Sequence, residues 1–515
     1  MKVYKGNILT VNKNNDVARY LVEDSGIIVY VGDTLPIEFS NGEIEDLGNK
    51  ALCPSFVDTH QHMASFSTFH SGLNVMDAKS NLEIKQLVKS FVEQNKGKKT
   101  LIAFGASPYS VKEKRMILRE ELDEVCPEQE IMVVKYDGHA CVINSKLLGR
   151  LENKLSKLRG YHKETGEMNQ EAFFACSDYI SNSLSIIDLY RNMQQAVDYQ
   201  AAKGIGCIHT VSGVGFIGNL DITIENNFSK SIRNGFQIRV FPQSMNIKVA
   251  TRRKLTRIGG CFECALDGCF GSKDAALREA YLDGEEGVLY YTDEKVFEFC
   301  KSANRKGLQI EMHAIGDKAF EQAARALKAA LDEYPRENHR HGIIHGCLPT
   351  EEGIKICEEY NILLHLQSAF IDWKQEPNSY LESIMGEERV EKLNPIKTFL
   401  NNNIIATLGS DAPCTTPDPI VWMDKAVNNP NINQRISIQD ALRMCTLNGY
   451  YASFDEKERG SLEVGKVADM VILSDNLYST LRISDVKVEK LILKGKEYQS
   501  ARESVFRAVA RGVIK

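Results

Sequence analysis

The sequence lacks any apolar run of the roughly 18–20 residues that a membrane-spanning helix needs. Its first residues, MKVYKGNILTV, hold neither an apolar core segment nor a small-residue cleavage site, so no secretory leader is expected. Nor is there an excess of basic charge: 63 Lys and Arg stand against 69 Asp and Glu, a formal net charge of -6. That balance leaves no electrostatic footprint for nucleic acid or for an anionic membrane. The expected partner is therefore a small molecule, with no nucleic acid and no membrane. Thirteen cysteines show no disulfide framework, which suits a reducing cytoplasm. Only one C-x-x-C occurs, Cys261 to Cys264, with Cys269 nearby. A structural zinc site needs a second such pair, so these read as ordinary strand cysteines. Repeats and low-complexity tracts are absent as well.

What remains is a 515-residue chain of ordinary globular composition, long enough for a large core and more than one structural unit. Both ends are rich in β-forming residues. VYKGNILTV is followed by YLVEDSGIIVYVG, with a turn signal at Asp24-Ser25-Gly26. Near the other end, ADMVILS and KVEKLILKG repeat the pattern. A single small β-sandwich domain built from both termini, residues 1–51 and 456–515, accounts for these runs. Between them, over 52–455, apolar runs such as IMVVKYDGH, LQIEMHAIGD, HGIIHGC, ILLHLQSAF and IIATLGSD alternate with helix-period stretches such as DKAFEQAARALKAALDEY and TEEGIKICEEY. Repeated strand–helix units imply a parallel sheet, and their number favours closure. The expected fold class is α/β: a (β/α)8 TIM-like barrel, the β-sandwich domain, and a helical insertion within about 64–170.

The strongest local signal is Phe56-Val57-Asp58-Thr59-His60-Gln61-His62. Side chains alternate faces along a strand, so Asp58, His60 and His62 point the same way. Two imidazoles about 6–7 Å apart on one face can share a metal; taken alone, they read more readily as hydrogen-bonded core residues. Further polar residues close other apolar runs. His313 ends Gln309-Ile310-Glu311-Met312, His345 ends Gly342-Ile343-Ile344, and Asp411 follows the run from Ile404 to Ser410. In a parallel barrel such strand ends converge on one mouth. Four imidazoles and a carboxylate meeting there form a nitrogen–oxygen site suited to zinc, iron or manganese.

The same positions carry a family likeness. Across PSFVDTHQH, YDGHACVINSKLL, LDGCFGSKDAAL, EMHAIGDKA, GSDAPCTTPDP and GSLEVGKVADMVIL, the chain resembles the amidohydrolase superfamily and, within it, the amidohydrolase-3 group of YtcJ-like metal-dependent hydrolases. The resemblance implies hydrolysis of an amide, cyclic amide, formamide or amidine-type C–N bond by a metal-activated water. It implies one or two divalent ions per chain, with zinc expected and iron or manganese as alternatives. By this likeness His60 and His62 bind the more buried ion, and His313 and His345 the outer one. Asp411 touches the first and serves as general base. Many relatives bridge two ions through a carboxylated lysine on the strand before LDGCFG. Here that register gives Glu263, which is expected as the bridging ligand, with Cys264 on the opposite strand face. A single-ion site, with His345 on the substrate, stays open. So do ring deamination and, further off, an inactive scaffold. A homodimer is expected because dimers are frequent in the family.

Weaker expectations attach to other residues. His139, Asp317 and Gln367 are candidates for substrate contact, Asp317 also as a helix cap or ligand-orienting group. Asp267 reads as a turn residue or a neighbour of the bridge, His209 as a support for the ligands, and His365 as core. His70, His162, His339 and His341 read as surface or loop residues. Phe370, Trp373 and Trp422 either wall the pocket or pack the barrel.

Overall fold

In the strand Met470–Leu473, successive side chains enter different cores. Met470 and Ile472 join a small cluster with Tyr4, Ile8, Leu21 and Leu52, whereas Val471 and Leu473 join the main core. This two-residue period belongs to one seven-stranded sheet made from both chain ends. The computed structural model describes residues 1–213 and 219–514. In it the strand order of this sheet is Lys496–Glu497, Val488–Leu493, Met470–Leu473, Glu43–Pro54, Lys2–Leu9, Val17–Asp24, Ile27–Gly32. Lys2–Leu9 and Glu43–Pro54 run parallel, and the other neighbours antiparallel. The far edge folds back toward Met470–Leu473: the Ile28 N–H donates to Lys466 O at 2.8 Å and the Ala468 N–H to Gly26 O at 2.9 Å, around the small cluster.

Eight strands carry the middle of the chain: β1 (Phe56–Gln61), β2 (Ile205–Ser212), β3 (Gln237–Pro242), β4 (Arg257–Ala265), β5 (Gln309–Ala314), β6 (Gly342–His345), β7 (Leu363–Leu366) and β8 (Ala406–Leu408). They form two parallel sheets, ordered β3-β2-β1 and β4-β5-β6-β7-β8. The sheets meet just past β8, where the Asp411 N–H donates to His60 O and the His62 N–H donates to Ala412 O, each at 2.8 Å. At the other junction no ladder joins β3 to β4 among the described residues. There the Cys261 N–H donates to the side-chain oxygen of Gln243 at 3.1 Å. The expected closed barrel is therefore observed as arcs of three and five strands.

Helices return the chain between these strands. Asp317–Glu333 follows β5 and buries Ala319, Phe320, Ala323, Ala324, Ala326, Leu327 and Ala330 on its inner face. Small side chains at helical spacing let it lie close to the sheet. Glu351–Glu359 follows β6, started by Thr350, whose hydroxyl accepts the Gly353 N–H at 3.0 Å.

Between β1 and β2 the chain builds a further layer that differs from the helical insertion expected. It is a six-stranded mixed sheet ordered Tyr161–His162, Glu167–Asn169, Ala140–Ile143, Glu130–Lys135, Thr100–Ala106, Leu73–Asn74. Ile131 and Val133 pack on one face, Met132 and Val134 on the other. Helices Asn81–Gln94 and Ser145–Leu155 contribute to these two clusters. The run IMVVKYDGH lies here and not among the eight parallel strands. An apolar run buried on both faces looks the same in either sheet. No helix among the described residues is long and apolar enough to cross a membrane.

One buried carboxyl ties these layers together. Glu225, on helix Leu220–Ser231, accepts the Ala64 N–H at 3.1 Å and the Thr210 hydroxyl at 3.0 Å, and also the Ser212 hydroxyl. It thereby fixes the turn after His62 against β2. Burial pushes its carboxyl up to about 8 despite these bonds. Glu225→Leu strands three buried donors. It should cost about 2–4 kcal/mol, read as a lower urea midpoint at unchanged slope. An unmoved midpoint would show that this tie carries no stability.

Candidate metal centre

Strand β1 delivers His60, wholly buried, and ends just before His62. The turn beyond β8 delivers Asp411 opposite them. Asp411 Oδ1 lies 3.2 Å from His60 Nε2 and 3.2 Å from His62 Nε2. Donors held tetrahedrally at the 2.0–2.1 Å typical of zinc stand about 3.3–3.4 Å apart. These atoms are therefore already at ligand spacing. Asp411 has φ +53°, a conformation costing about 1–3 kcal/mol that persists only where its surroundings fix it. Asp58 supplies that constraint. Its buried carboxyl accepts the Ser410 N–H at 2.9 Å, the Ser410 hydroxyl at 2.6 Å and the Gln61 side-chain N–H at 3.2 Å.

A second group of donors adjoins the first. His345 ends β6, and its ring centre lies 4.5 Å from that of His313 and 5.5 Å from that of His60. The Gln367 amide donates from Nε2 to His365 O at 2.9 Å, which leaves Oε1 to accept from His345 Nδ1 at 2.6 Å. The tautomer follows: His345 carries its proton on Nδ1 and presents a bare Nε2. His313 Nε2 sits 3.3 Å from Gly268 O, so Nδ1 carries the lone pair; that atom is buried without a partner. Cys261 Sγ lies 3.5 Å from His60 Nε2. A sulfur and a nitrogen on one zinc, at 2.3 Å and 2.0–2.1 Å, stand about 3.5–3.6 Å apart. His60, Cys261 and His345 offer donor atoms within 4.8 Å of one another, as do His60, His62 and Asp411.

The electrostatics fit a cation. Burial lowers His60, lowers His313 to about 4, and takes His345 well below the usual imidazole range. All three rings are neutral near pH 7, the form that binds metals. Burial alone would raise Asp411, but the His60 and His62 imidazoles overcome it and hold the carboxyl well below its usual range. Burial pushes the Cys261 thiol well up, a preference that an adjacent cation reverses. Neutral imidazoles, an ionised carboxylate and a thiol at ligand spacing are a donor set that fits a divalent ion.

Of the expected residues, His60, His62, His313, His345 and Asp411 come together, and Glu263 does not join them. Glu263 is exposed on the cavity rim. The pairing of β4 with β5 jumps from Gly260↔Met312 to Ala265↔His313, so residues 261–264 bulge out. Strict alternation fails there: Cys261 turns toward His60, and Cys264 enters the main core. The missed signal was the glycine pair before Cys261. Gly259 has φ +117°, and a side chain there would collide with the backbone of Glu311.

The weaker expectations also sort out. Asp317 opens its helix, accepts the Arg278 N–H at 2.8 Å and the Lys318 N–H at 2.9 Å, and does not line the cavity. Gln367 orients His345 and likewise does not line the cavity. His139 is exposed on the rim, its ring 6.2 Å from that of Phe262. Asp267 is buried. It accepts N–H bonds from Ala276, Ile315 and Gly316 at 2.9, 3.0 and 2.8 Å, and lies 3.6 Å from His313 Nε2. His365 is core, set between Thr407 Oγ1 at 2.9 Å and Glu311 Oε1 at 3.2 Å. His209 is buried among the parallel strands. His339 and His341 are buried, not superficial, because they pack at the entry to β6: the His341 N–H donates to His339 Nδ1 at 2.8 Å. His70 and His162 are exposed. Trp422 packs the core, whereas Phe370 and Trp373 wall the cavity.

That cavity measures about 1000 Å³. His62, Cys261, His313, His345 and Asp411 line it, and the six-stranded layer covers it with residues such as Phe69, Met132 and Phe174.

The amidohydrolase family model matches residues 43–498. The Bacillus subtilis protein YtcJ is 23% identical, across 95% of this chain and 97% of that protein. An N-substituted formamide deformylase of Arthrobacter pascens is 21% identical, across 92% of this chain and 93% of that one. Among solved structures, a metal-dependent hydrolase from Pyrococcus horikoshii superposes with a TM-score of 0.75, covering 94% of this chain and 99% of that one at 22% identity, and so shares the fold.

Removing the group that orients His345 should loosen a bound ion. Gln367→Leu is expected to weaken metal affinity about 10–100-fold, read by titration against a chelating competitor. Unchanged affinity would remove His345 from the ligand set. Cobalt-loaded protein should show thiolate-to-metal absorption that Cys261→Ser lacks; a wild-type spectrum without that band would exclude Cys261.

Proposed function

This chain belongs to the amidohydrolase family, and we propose that it hydrolyses a C–N bond of amide, cyclic amide, formamide or amidine type in a small molecule, with a divalent ion. The observation that carries this reading is Asp411 Oδ1 set 3.2 Å from both His60 Nε2 and His62 Nε2, with His62 and Asp411 lining a large cavity. We read the arcs of three and five strands as one eight-stranded barrel, and the sheet from both termini as its companion domain. Formamides head the candidate substrates, given the likeness to an N-substituted formamide deformylase.

His60, His62 and Asp411 would hold one ion. Cys261, His345 and His313 stand where they would complete that site or hold a second ion. The thiol among imidazoles favours zinc. When bound, the ion supplies a Lewis acid that brings the acidity of water close to neutrality. Asp411 turns Oδ1 to the two imidazoles, which leaves Oδ2 to take a proton from the attacking water. It returns that proton to the leaving nitrogen as the C–N bond breaks and a C–O bond forms. Asp58 keeps this carboxylate in register through Ser410. Gln367 holds the Nδ1 proton of His345, so that ring donates no proton from Nε2. Phe262, Phe370 and Trp373 keep bulk water from the reacting atoms.

The test is a panel of N-substituted formamides, lactams and anilides, with released amine measured. Asp411→Asn should lose about 10²–10⁴-fold in kcat with an unchanged melting temperature. Retention of most activity would exclude Asp411 as the base. Ammonia released without a carboxylic acid would instead identify ring deamination.

A further inference from the structure

The cavity has a second polar region away from the metal centre. A series of rings leads to it. His345 lies 6.1 Å from Phe370, Phe370 lies 4.8 Å from Trp373, and Trp373 meets Tyr136 edge-on at 5.0 Å. Beyond these rings stand Lys135, Asp137, Asp274 and Glu376, all lining the cavity. Lys135 is committed: its ammonium binds Asp137 at 2.7 Å, with both side chains nearly buried, and lies over the Tyr136 ring at 5.0 Å. Asp274 is committed too, accepting the Cys269 N–H at 3.0 Å and the Tyr290 hydroxyl at 2.9 Å.

Glu376 is not. No side chain pairs with it: the Gly271 N–H points at its carboxyl, but its buried Oε1 makes no hydrogen bond, and neither does the buried Tyr136 hydroxyl. Both atoms abut Gly271, where any side chain would collide with them. Gly271 is itself held, its carbonyl accepting the Tyr109 and Tyr380 hydroxyls at 3.0 and 2.9 Å. Burial, then the nearby Asp137 carboxylate, push Glu376 up to about 8. Three carboxylates thus face a single ammonium that is already paired. This region disfavours an anion, and a cation beside Glu376 would favour the ionised form of its raised carboxyl. The rings between it and the metal centre suit a flat or hydrocarbon body.

We propose that Glu376 is the recognition residue for a protonated amine on the substrate, carried by an aromatic or aliphatic body whose scissile C–N bond lies at His60, His62 and Asp411. The ammonium donates to the Glu376 carboxylate, beside the buried Tyr136 hydroxyl. The assignment rests on the hydrolase reading for the scissile end, but the contact itself needs no turnover.

The test compares 4-phenylbutylamine, 4-phenylbutanol and 4-phenylbutanoate as probes, titrated calorimetrically into the full-length, metal-loaded protein. The amine should bind about tenfold more tightly than the alcohol, with the carboxylate weakest, and the same order should persist after the metal is chelated. Glu376→Gln should bring the amine-to-alcohol ratio close to one, while Glu263→Gln on the rim leaves it unchanged. Equal binding of amine and alcohol by the wild type overturns the proposal. So does a preference that survives Glu376→Gln, or one that disappears on chelation. If Glu376→Gln does not fold, the wild-type order before and after chelation decides alone. A protein that prefers the amine but cleaves no C–N bond would refute the hydrolase reading and leave this subsite. Turnover of a C–N substrate without amine preference would refute the subsite alone.

Discussion

The carboxyl of Asp58 sits at the junction where the two parallel arcs meet, and its grip on Ser410 sets everything above it. Ser410 donates twice to Asp58, through its backbone N–H and its hydroxyl. The next residue, Asp411, is thereby turned into the left-handed region and donates its own N–H to His60 O. A single buried carboxyl thus spaces the Asp411 carboxylate against the imidazole on the neighbouring strand. It also bridges an edge that would otherwise leave backbone groups of both sheets unpaired. Burial pushes Asp58 up to about 7 against the hydrogen bonds that would lower it. The same junction therefore concentrates both the structural tie and the demand for positive charge.

Around that junction, burial does two kinds of work. It keeps the imidazoles of His60, His313 and His345 neutral, with lone pairs available. It also removes competing water, which is why Gln367 can fix one tautomer of His345 with a single bond. The six-stranded layer between β1 and β2 extends this exclusion. It covers the mouth and turns an open strand-end site into a cavity with walls of its own chemistry. Loops and insertions placed over a rigid sheet are where specificity is expected to reside.

Much of the centre was legible from the chain. His60, His313, His345 and Asp411 each close an apolar run, and a parallel sheet sends all such ends to one side. The strand position of His60 followed from its apolar run, while His62 stands just past the strand end. Glu263 failed on alternation, which holds only while the ladder is regular, and four residues of β4 leave it. The Gly259-Gly260 pair announced the irregularity, but the direction in which Cys261 would turn depends on Val211 and Gln243 from neighbouring strands. Gln367 and Asp317 were expected at the substrate, but neither lines the cavity; Gln367 binds His345 and Asp317 binds the Arg278 and Lys318 N–H groups, partners that local sequence does not show. The six-stranded layer was hidden because its strands, buried on both faces, have the composition of barrel strands. The joining of both chain ends in one sheet was legible from their β-rich runs.

The central claim is that these side chains hold a divalent ion, and metal content per chain tests it most directly. Full-length protein, purified without chelators or nickel resin, would be assayed by elemental analysis. The account predicts at least about one equivalent of a transition ion per chain, lost when His60 is replaced by alanine. No retained metal, even after reconstitution with zinc, iron or manganese, would contradict it.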